Sequence, residues 1–326
     1  MIITRAPLRI SFAGGGSDIR SFYENYGGCV LNTSINQYVY IEIHPFFNTD
    51  RIQLKYSKTE NVKSSADISH NIFRNVISKY NLTGVELTCT ADIPSGTGMG
   101  SSSSFTVALL QAVHAFNREY KTKEEIAEEA CDIEINLIKS PIGKQDQYAS
   151  AIGGINFTEF LPNGEVNIEP INLSKESKDA LNKNLLIFYT GITRDANSIL
   201  SKQNEELKIN KNKINNLLKM MDYAKQLKKS FMSNNVDDLG ELLNETWHLK
   251  KGITSKISSS EIDEIYSKAI KSGAKGGKIL GAGGGGFLML YCQESEQEKL
   301  KKELSFMKCL NYKFESYGSQ IIFHQK

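Results

Sequence analysis

Apolar positions along the chain change their period several times, and each change marks an element. Leu31 to Ile43 is rich in β-branched and aromatic residues in rough alternation, which predicts a strand. Val85 to Ala91, Ile155 to Phe160, Leu185 to Tyr189 and Phe287 to Tyr291 predict four more. Residues 2–14 read as an extended segment broken at Pro7 and ended by Gly14-Gly15-Gly16. Phe105, Ala108, Leu109, Ala112, Val113 and Phe116 then recur at helical spacing, so a helix starts inside the serine run before them. Thr122-x-x-Glu125 has the form of a capping box, opening a second helix that runs to about Lys139 and ends at Pro141 and Gly143. Helical periodicity returns over residues 196–251, for example at Leu217, Leu218, Met221, Ala224, Leu227 and Phe231. Strands followed by helices predict an α+β protein whose domain change falls between 160 and 190, with 1–170 and 171–326 as the division.

Length and charge narrow this picture only a little. At 326 residues, 40% of them hydrophobic and 23% charged, the chain exceeds one compact core and predicts two packed domains. A net charge of +2 gives no reason to expect nucleic acid or a membrane surface as partner. The basic stretches Lys208 to Lys213 and Lys225 to Lys229 lie in amphipathic helical patterns and read as solvated helix faces. Cys29, Cys89, Cys131, Cys292 and Cys309 are scattered, without a CxxC pair or a nearby histidine, as expected of reduced thiols in a cytoplasmic protein. The start of the chain carries no basic-then-apolar signal region, and no apolar run reaches membrane-spanning length.

The residues with most chemical content lie in the loop Pro94-Ser95-Gly96-Thr97-Gly98-Met99-Gly100-Ser101-Ser102-Ser103-Ser104. Glycines allow close backbone approach to an anion, and the following helix N-terminus offers unpaired N–H groups and a positive dipole end. A flexible linker is the plain alternative, disfavoured by the strand before the loop and the amphipathic helix directly after it. No Gly-x-x-x-x-Gly-Lys-Ser/Thr occurs. Gly281 to Gly286 satisfies Gly-x-Gly-x-x-Gly but leads into a strand, which speaks against a nicotinamide dehydrogenase. That cluster reads instead as a place where backbone passes close to a ligand or another loop. Glu134 falls on or beside the buried stripe of its helix, where a carboxylate needs a cation: magnesium or a plain salt bridge. Asp146, just after a Pro/Gly turn, could orient or deprotonate a substrate hydroxyl, although most loop aspartates only form turns.

Three ordered segments resemble the GHMP small-molecule kinase superfamily, which includes galactokinase and homoserine, mevalonate and phosphomevalonate kinases. They are Ala6 to Asp18, the 94–104 loop with Met99 in place of leucine, and Lys278 to Gly286. The resemblance implies an N-terminal α+β domain and a C-terminal ferredoxin-like domain with the active site between them. It implies that Pro94, Gly96, Gly98, Met99, Gly100, Ser101, Ser102 and Ser103 bind ATP, and that Ser102 and Glu134 hold Mg2+. Asp146 and Arg9 match the family's catalytic pair. Within the superfamily, Phe12 to Asp18, Gly143 to Ala149 and Tyr189 to Arg194 resemble the D-glycero-D-manno-heptose 7-phosphate kinases. Galactokinases carry Glu-His where this chain has Gly15-Gly16, which opens space for a larger or phosphorylated sugar.

The implied reaction is phosphorylation of the anomeric hydroxyl to give the 1,7-bisphosphate, in nucleotide-activated heptose synthesis for surface polysaccharide. Asp18, Gly15, Gly16, Gln145, Gly283 and Gly284 become candidates for binding the sugar, with Arg20 and Arg194 as cations for its phosphate or, equally, as surface arginines. The expected partners are ATP and a sugar phosphate, with a homo-oligomer left open. The rival readings are a kinase for L-fucose or another unphosphorylated sugar, and a catalytically silent sugar-and-ATP sensor. Retention of Asp146, Arg9, Glu134 and Ser102 argues against the sensor.

Overall fold

β1 (Ile2–Ala13) and β2 (Gly28–Pro45) pair antiparallel from Ile2 opposite Ile43 to Ala13 opposite Leu31, forming the spine of the larger sheet. The break expected at Pro7 does not occur: the strand continues, and its register shifts between Pro7 and Leu8. Proline has no N–H for the ladder, and an irregularity is where a sheet tolerates one. The Pro7 carbonyl accepts two buried hydroxyls, Ser104 at 2.8 Å and Ser150 at 2.9 Å.

The computed structural model describes residues 1–192 and 196–325, leaving aside the side chains at 208 and 209. β3 (Ile52–Lys55), β4 (Thr59–Val62), β5 (Val85–Ala91), β6 (Ile155–Phe160) and β7 (Val166–Pro170) extend the large sheet. The far half of β2 pairs with β5 and the near half with β6, so one long strand carries both wings. The second sheet contains β8 (Leu185–Tyr189), β9 (Gly276–Ile279), β10 (Phe287–Tyr291) and β11 (Lys308–Cys309) in the antiparallel order β11-β8-β10-β9. The chain then returns: β12 (Phe314–Glu315) pairs with β2, and β13 (Gln320–His324) pairs with β1. A division at 170/171 therefore leaves the last two strands on the sheet of the first unit.

The helices are α1 (Arg20–Tyr26), α2 (Asn71–Lys79), α3 (Ser101–Phe116), α4 (Lys123–Cys131), α5 (Gln145–Ile152) and α6 (Lys175–Asn184), then α7 (Ala196–Ile209), α8 (Lys211–Met232), α9 (Asp238–Lys251), α10 (Ser260–Lys271) and α11 (Gln297–Glu303). Both halves of the expected capping box form, Thr122 accepting from the Glu125 N–H and Glu125 from the Thr122 N–H. The helix it opens is regular only to Cys131; a π-turn over Asp132–Leu137 replaces the last part of the expected span. α3 is buried nearly all round, from Ser103 to Val113, which is why its apolar residues crowd beyond one stripe. The units meet through Phe12, whose ring packs edge-on to Phe231 of α8 at 5.7 Å. Such a pair adds about 1 kcal/mol beyond the area it buries. No helix among the described residues is long and apolar enough to cross a membrane.

Candidate active site

β5 delivers the chain to the serine/glycine loop, and α3 begins at Ser101 directly behind it. Gly100 caps the helix with φ of 75°, a left-handed conformation that glycine adopts without strain. The loop's glycines line the cleft at Gly96, Gly98 and Gly100, followed by Ser101, Ser102 and Ser103. These residues put backbone N–H groups and hydroxyls at a helix N-terminus, a cradle suited to anions.

Glu134 lies on the π-turn, 2% exposed, facing that helix start. Ser102 Oγ donates to its Oε1 at 2.9 Å and Gln147 Nε2 to its Oε2 at 2.6 Å. Burial raises its carboxyl to about 6, partly opposed by hydrogen bonds from Ser103, Gln147 and Ser102 and assisted by the nearby Asp146. Its hydrogen-bond partners among the described residues are neutral, so the plain salt bridge is not what the fold provides. A buried carboxylate beside a serine hydroxyl is an oxygen donor set that fits a hard divalent cation completed by phosphate and water. It is not a protein-only cage: no group of three or more His, Cys, Asp or Glu suited to a metal occurs among the described residues.

Asp146 stands in the first turn of α5. Arg9 grips it with both arms of its fork, Nε to Oδ1 at 2.7 Å and Nη2 to Oδ2 at 2.8 Å. The same guanidinium donates from Nη1 to the Gly98 carbonyl at 2.7 Å, tying the pair to the loop. A Cβ placed on Gly100 would lie 3.2 Å from Asp146 Oδ2, so the carboxylate lies against the end of the cradle. Position and direction are thus fixed by a bidentate, charge-assisted contact.

The floor beyond Asp146 is Gly15 and Gly16, bordered by Asp18 and Gln145. Asp18 is 2% exposed and accepts from the Gly16 N–H, the Gln145 N–H and Gln145 Nε2 at 2.9, 3.2 and 3.0 Å. Burial, and then the charge of Asp146, push its carboxyl up from the usual carboxylate value. Gln145 Oε1 is buried without a protein hydrogen-bond partner, an acceptor left over for a ligand hydroxyl. Ser11 also lines this floor, and its hydroxyl accepts from Lys278 Nζ at 3.1 Å. Lys278 is 1% exposed, and burial, reinforced by Arg9, lowers its ammonium to about 7.

Residues 67–154 match the family description GHMP kinases N terminal domain, and residues 224–308 match GHMP kinases C terminal. D-glycero-alpha-D-manno-heptose 7-phosphate kinase of Campylobacter jejuni is 31% identical over 319 residues, covering 93% of each chain. The chain belongs to the GHMP kinase family. Family members are ATP-dependent phosphotransferases with an alcohol acceptor, and this chain is such an enzyme. A solved D-glycero-D-manno-heptose 1-phosphate kinase from Bacteroides thetaiotaomicron superposes with a TM-score of 0.82 at 25% identity over the full length of both chains. The bifunctional fucokinase/GDP-fucose pyrophosphorylase of Arabidopsis thaliana is 25% identical across 90% of this chain, which spans 30% of that longer protein.

Several residues expected at this kinase's site are elsewhere. The Met99 side chain is fully buried in the core, and its carbonyl accepts the Arg9 N–H at 3.1 Å, so it supports the loop from beneath. Pro94 opens the loop on its exposed side, outside the cleft. Gly283 and Gly284 pack on Ile257: the Gly284 N–H donates to its carbonyl at 2.7 Å, and a Cβ on Gly283 would meet it at 2.9 Å. Arg20 is half-exposed at the start of α1, 3.7 Å from Glu24, on a surface away from the cleft. Helical phase turned it outward. Arg194 lies outside the described residues.

The third glycine cluster does meet another loop. A Cβ on Gly281 would lie 2.7 Å from Gly98 Cα, and one on Gly286 would lie 2.2 Å from the Thr97 carbonyl oxygen. Lys250, Gln203 and Ala282 from the second unit complete the cleft, together with Ser11 from the first. Ser11 and Ala282 lie within segments that the sequence motifs single out, whereas nothing in the local sequence marks Lys250 or Gln203.

Proposed function

We propose that this protein transfers the γ-phosphoryl group of ATP to the anomeric hydroxyl of D-glycero-D-manno-heptose 7-phosphate, giving the 1,7-bisphosphate, as a cytoplasmic step in nucleotide-activated heptose synthesis. The observation that carries the reading is the bidentate Arg9–Asp146 pair, held against the phosphate cradle at Gly98 and Gly100 in a cleft that Gly15 and Gly16 also line. The heptose phosphate kinases among its relatives support the choice of acceptor.

In this reading Gly96, Gly98, Gly100, Ser101 and Ser103 hold the ATP phosphates through backbone N–H groups and hydroxyls. Ser102 and Glu134 would hold Mg2+, which when bound neutralises phosphate charge and helps to align the β- and γ-groups. Asp146, immobilised by Arg9, accepts a hydrogen bond from the acceptor hydroxyl and directs its oxygen at the phosphorus. The oxygen–phosphorus bond forms as the bond to the leaving ADP oxygen breaks, and the hydroxyl proton passes toward the Asp146 side. Gln145 Oε1 accepts from a sugar hydroxyl, while Asp18 fixes Gln145 and the Gly16 backbone. The space above Gly16 is taken by Gln203, whose Nε2 lies 2.8 Å from where a Cβ would stand, so the room for the longer sugar is that at Gly15, where Gln145 and Ser11 stay 3.6 Å away.

An unphosphorylated-sugar 1-kinase, L-fucose above all, is the second reading. It is favoured by the plant fucokinase relative and by the place of Arg20 on a surface outside the cleft. An ATP-coupled assay against heptose 7-phosphate, heptose 1-phosphate, fucose, galactose and mannose decides. Turnover of fucose with none of heptose 7-phosphate would overturn the first reading.

A further inference from the structure

The phosphoryl group of the proposed reaction carries negative charge that a cation in the cleft would meet. Arg9 gives its fork to Asp146 and its remaining arm to Gly98. Among the described residues, the basic side chains lining the cleft are Arg9 and Lys250. Lys250 is the next-to-last residue of α9 and is 5% exposed. A lysine so buried is uncommon unless its ammonium has polar work to do.

Where α9 sits determines where that ammonium goes. Gly276 of β9 lets the helix approach the sheet closely, since a Cβ there would lie 2.0 Å from the Gly240 carbonyl oxygen. α9 then runs along β9, and its last turn meets the loop that follows the strand. There Lys250 Nζ donates to the Gly281 carbonyl at 2.5 Å. Gly281 in turn is pressed against Gly98, a Cβ on Gly281 lying 2.7 Å from both the Cα and the carbonyl oxygen of Gly98, the oxygen that also accepts from Arg9. Arg9 thus bonds the phosphate loop directly, and Lys250 bonds the segment that abuts the same residue of that loop.

We propose that Lys250 is a catalytic residue that contacts the γ-phosphoryl group during transfer. The placement favours the phosphoryl group over a phosphate on the acceptor. Lys250 is anchored to the segment that abuts Gly98, whereas the acceptor floor is built around Gly15, Asp18 and Gln145. An ammonium on a four-carbon stem can follow the phosphorus as it moves between oxygens, which a guanidinium clamped at three points cannot. The inference rests on reading residues 94–104 as the nucleotide cradle; it does not depend on which sugar is the acceptor.

The test is K250M, with K250R beside it, assayed with the best acceptor of the sugar panel and also for ATP hydrolysis without sugar. Loss of one preorganised donor to a developing charge costs about 10²–10³-fold in kcat. That loss is expected in K250M for every acceptor and for hydrolysis, with the acceptor KM and the affinity for a non-hydrolysable ATP analogue within a few-fold of wild type. K250R should recover part of it. A retained kcat with a raised KM confined to phosphorylated acceptors would overturn the proposal and make Lys250 a receptor for the acceptor phosphate. Loss of analogue binding together with a lowered melting temperature would overturn it in favour of a structural role. Failure of every sugar in the panel would sink the heptose reading, while sugar-free hydrolysis still reports on Lys250.

Discussion

Lys278 donates from Nζ to the Ser11 hydroxyl across 3.1 Å, joining a buried lysine of β9 to a residue that lines the cleft from β1. Burial favours the neutral amine, so the folded chain releases this proton near 7 while the unfolded chain holds it to about 10.5. Between those values the unfolded state binds more protons, and Lys278 makes stability rise with pH. Urea unfolding of wild type and K278M from pH 7 to 10 should show the slope in the first and a flatter line in the second. Equal slopes would mean that the lysine is charged in the fold.

Glu134 has the opposite sign. Its folded carboxyl keeps a proton to about 6, whereas an unfolded one loses it at 4.5. Its contribution is therefore full below 4.5 and is lost as pH rises through 6, about 2 kcal/mol in all. Without Mg2+, E134Q should be more stable than wild type at pH 7.5 and nearly equal to it at pH 4. Mg-ATP should stabilise wild type more at pH 7.5 than at 5.5, and E134Q should lose most of that gain. Calorimetry at the two pH values would show it.

The Arg9–Asp146 contact makes the two residues one unit, so their losses should not add. D146N and R9M should each lower kcat by about 10²–10³-fold, and the double variant by little more than the worse single change. Steady-state kinetics of the three proteins is the check. Full additivity would separate the two roles.

Gly143 has no room for a side chain, because a Cβ there would lie 2.0 Å from Asp18 Oδ2. G143A should displace Asp18 and, through it, Gln145. The expected result is an acceptor KM raised about 10-fold or more with ATP affinity nearly unchanged, the cost of a misplaced positioning group. An unaltered KM would remove Asp18 and Gln145 from the acceptor site.

Local pattern carried the serine/glycine-loop half of the cleft well. The β5–loop–α3 unit is contiguous in sequence, and strand alternation, glycines and serine run all occur within about thirty residues. β6, β8 and β10 were likewise visible as short apolar runs bounded by turns. What stayed hidden depends on pairing between distant segments. Lys250 sits in a Leu-Lys-Lys helix end that looks like ordinary cations at a C-terminus, and its burial arises only when α9 meets β9. Lys278 and Ser11 are separated by 267 positions. Arg20 shows the converse error, since nearness in sequence to Gly15 and Gly16 did not survive the first turn of α1.

The Pro7 carbonyl gives the site its gauge. Ser104 of α3 and Ser150 of α5 both end on this one oxygen, so the helix behind the serine/glycine loop and the helix bearing Asp146 share a peg. In the proposed reaction, spacing between donor and acceptor is thereby written into the first strand and is in place before either substrate arrives. The proline commonly regarded as an interruption would then be the fixed mark from which the distance of phosphoryl travel is measured.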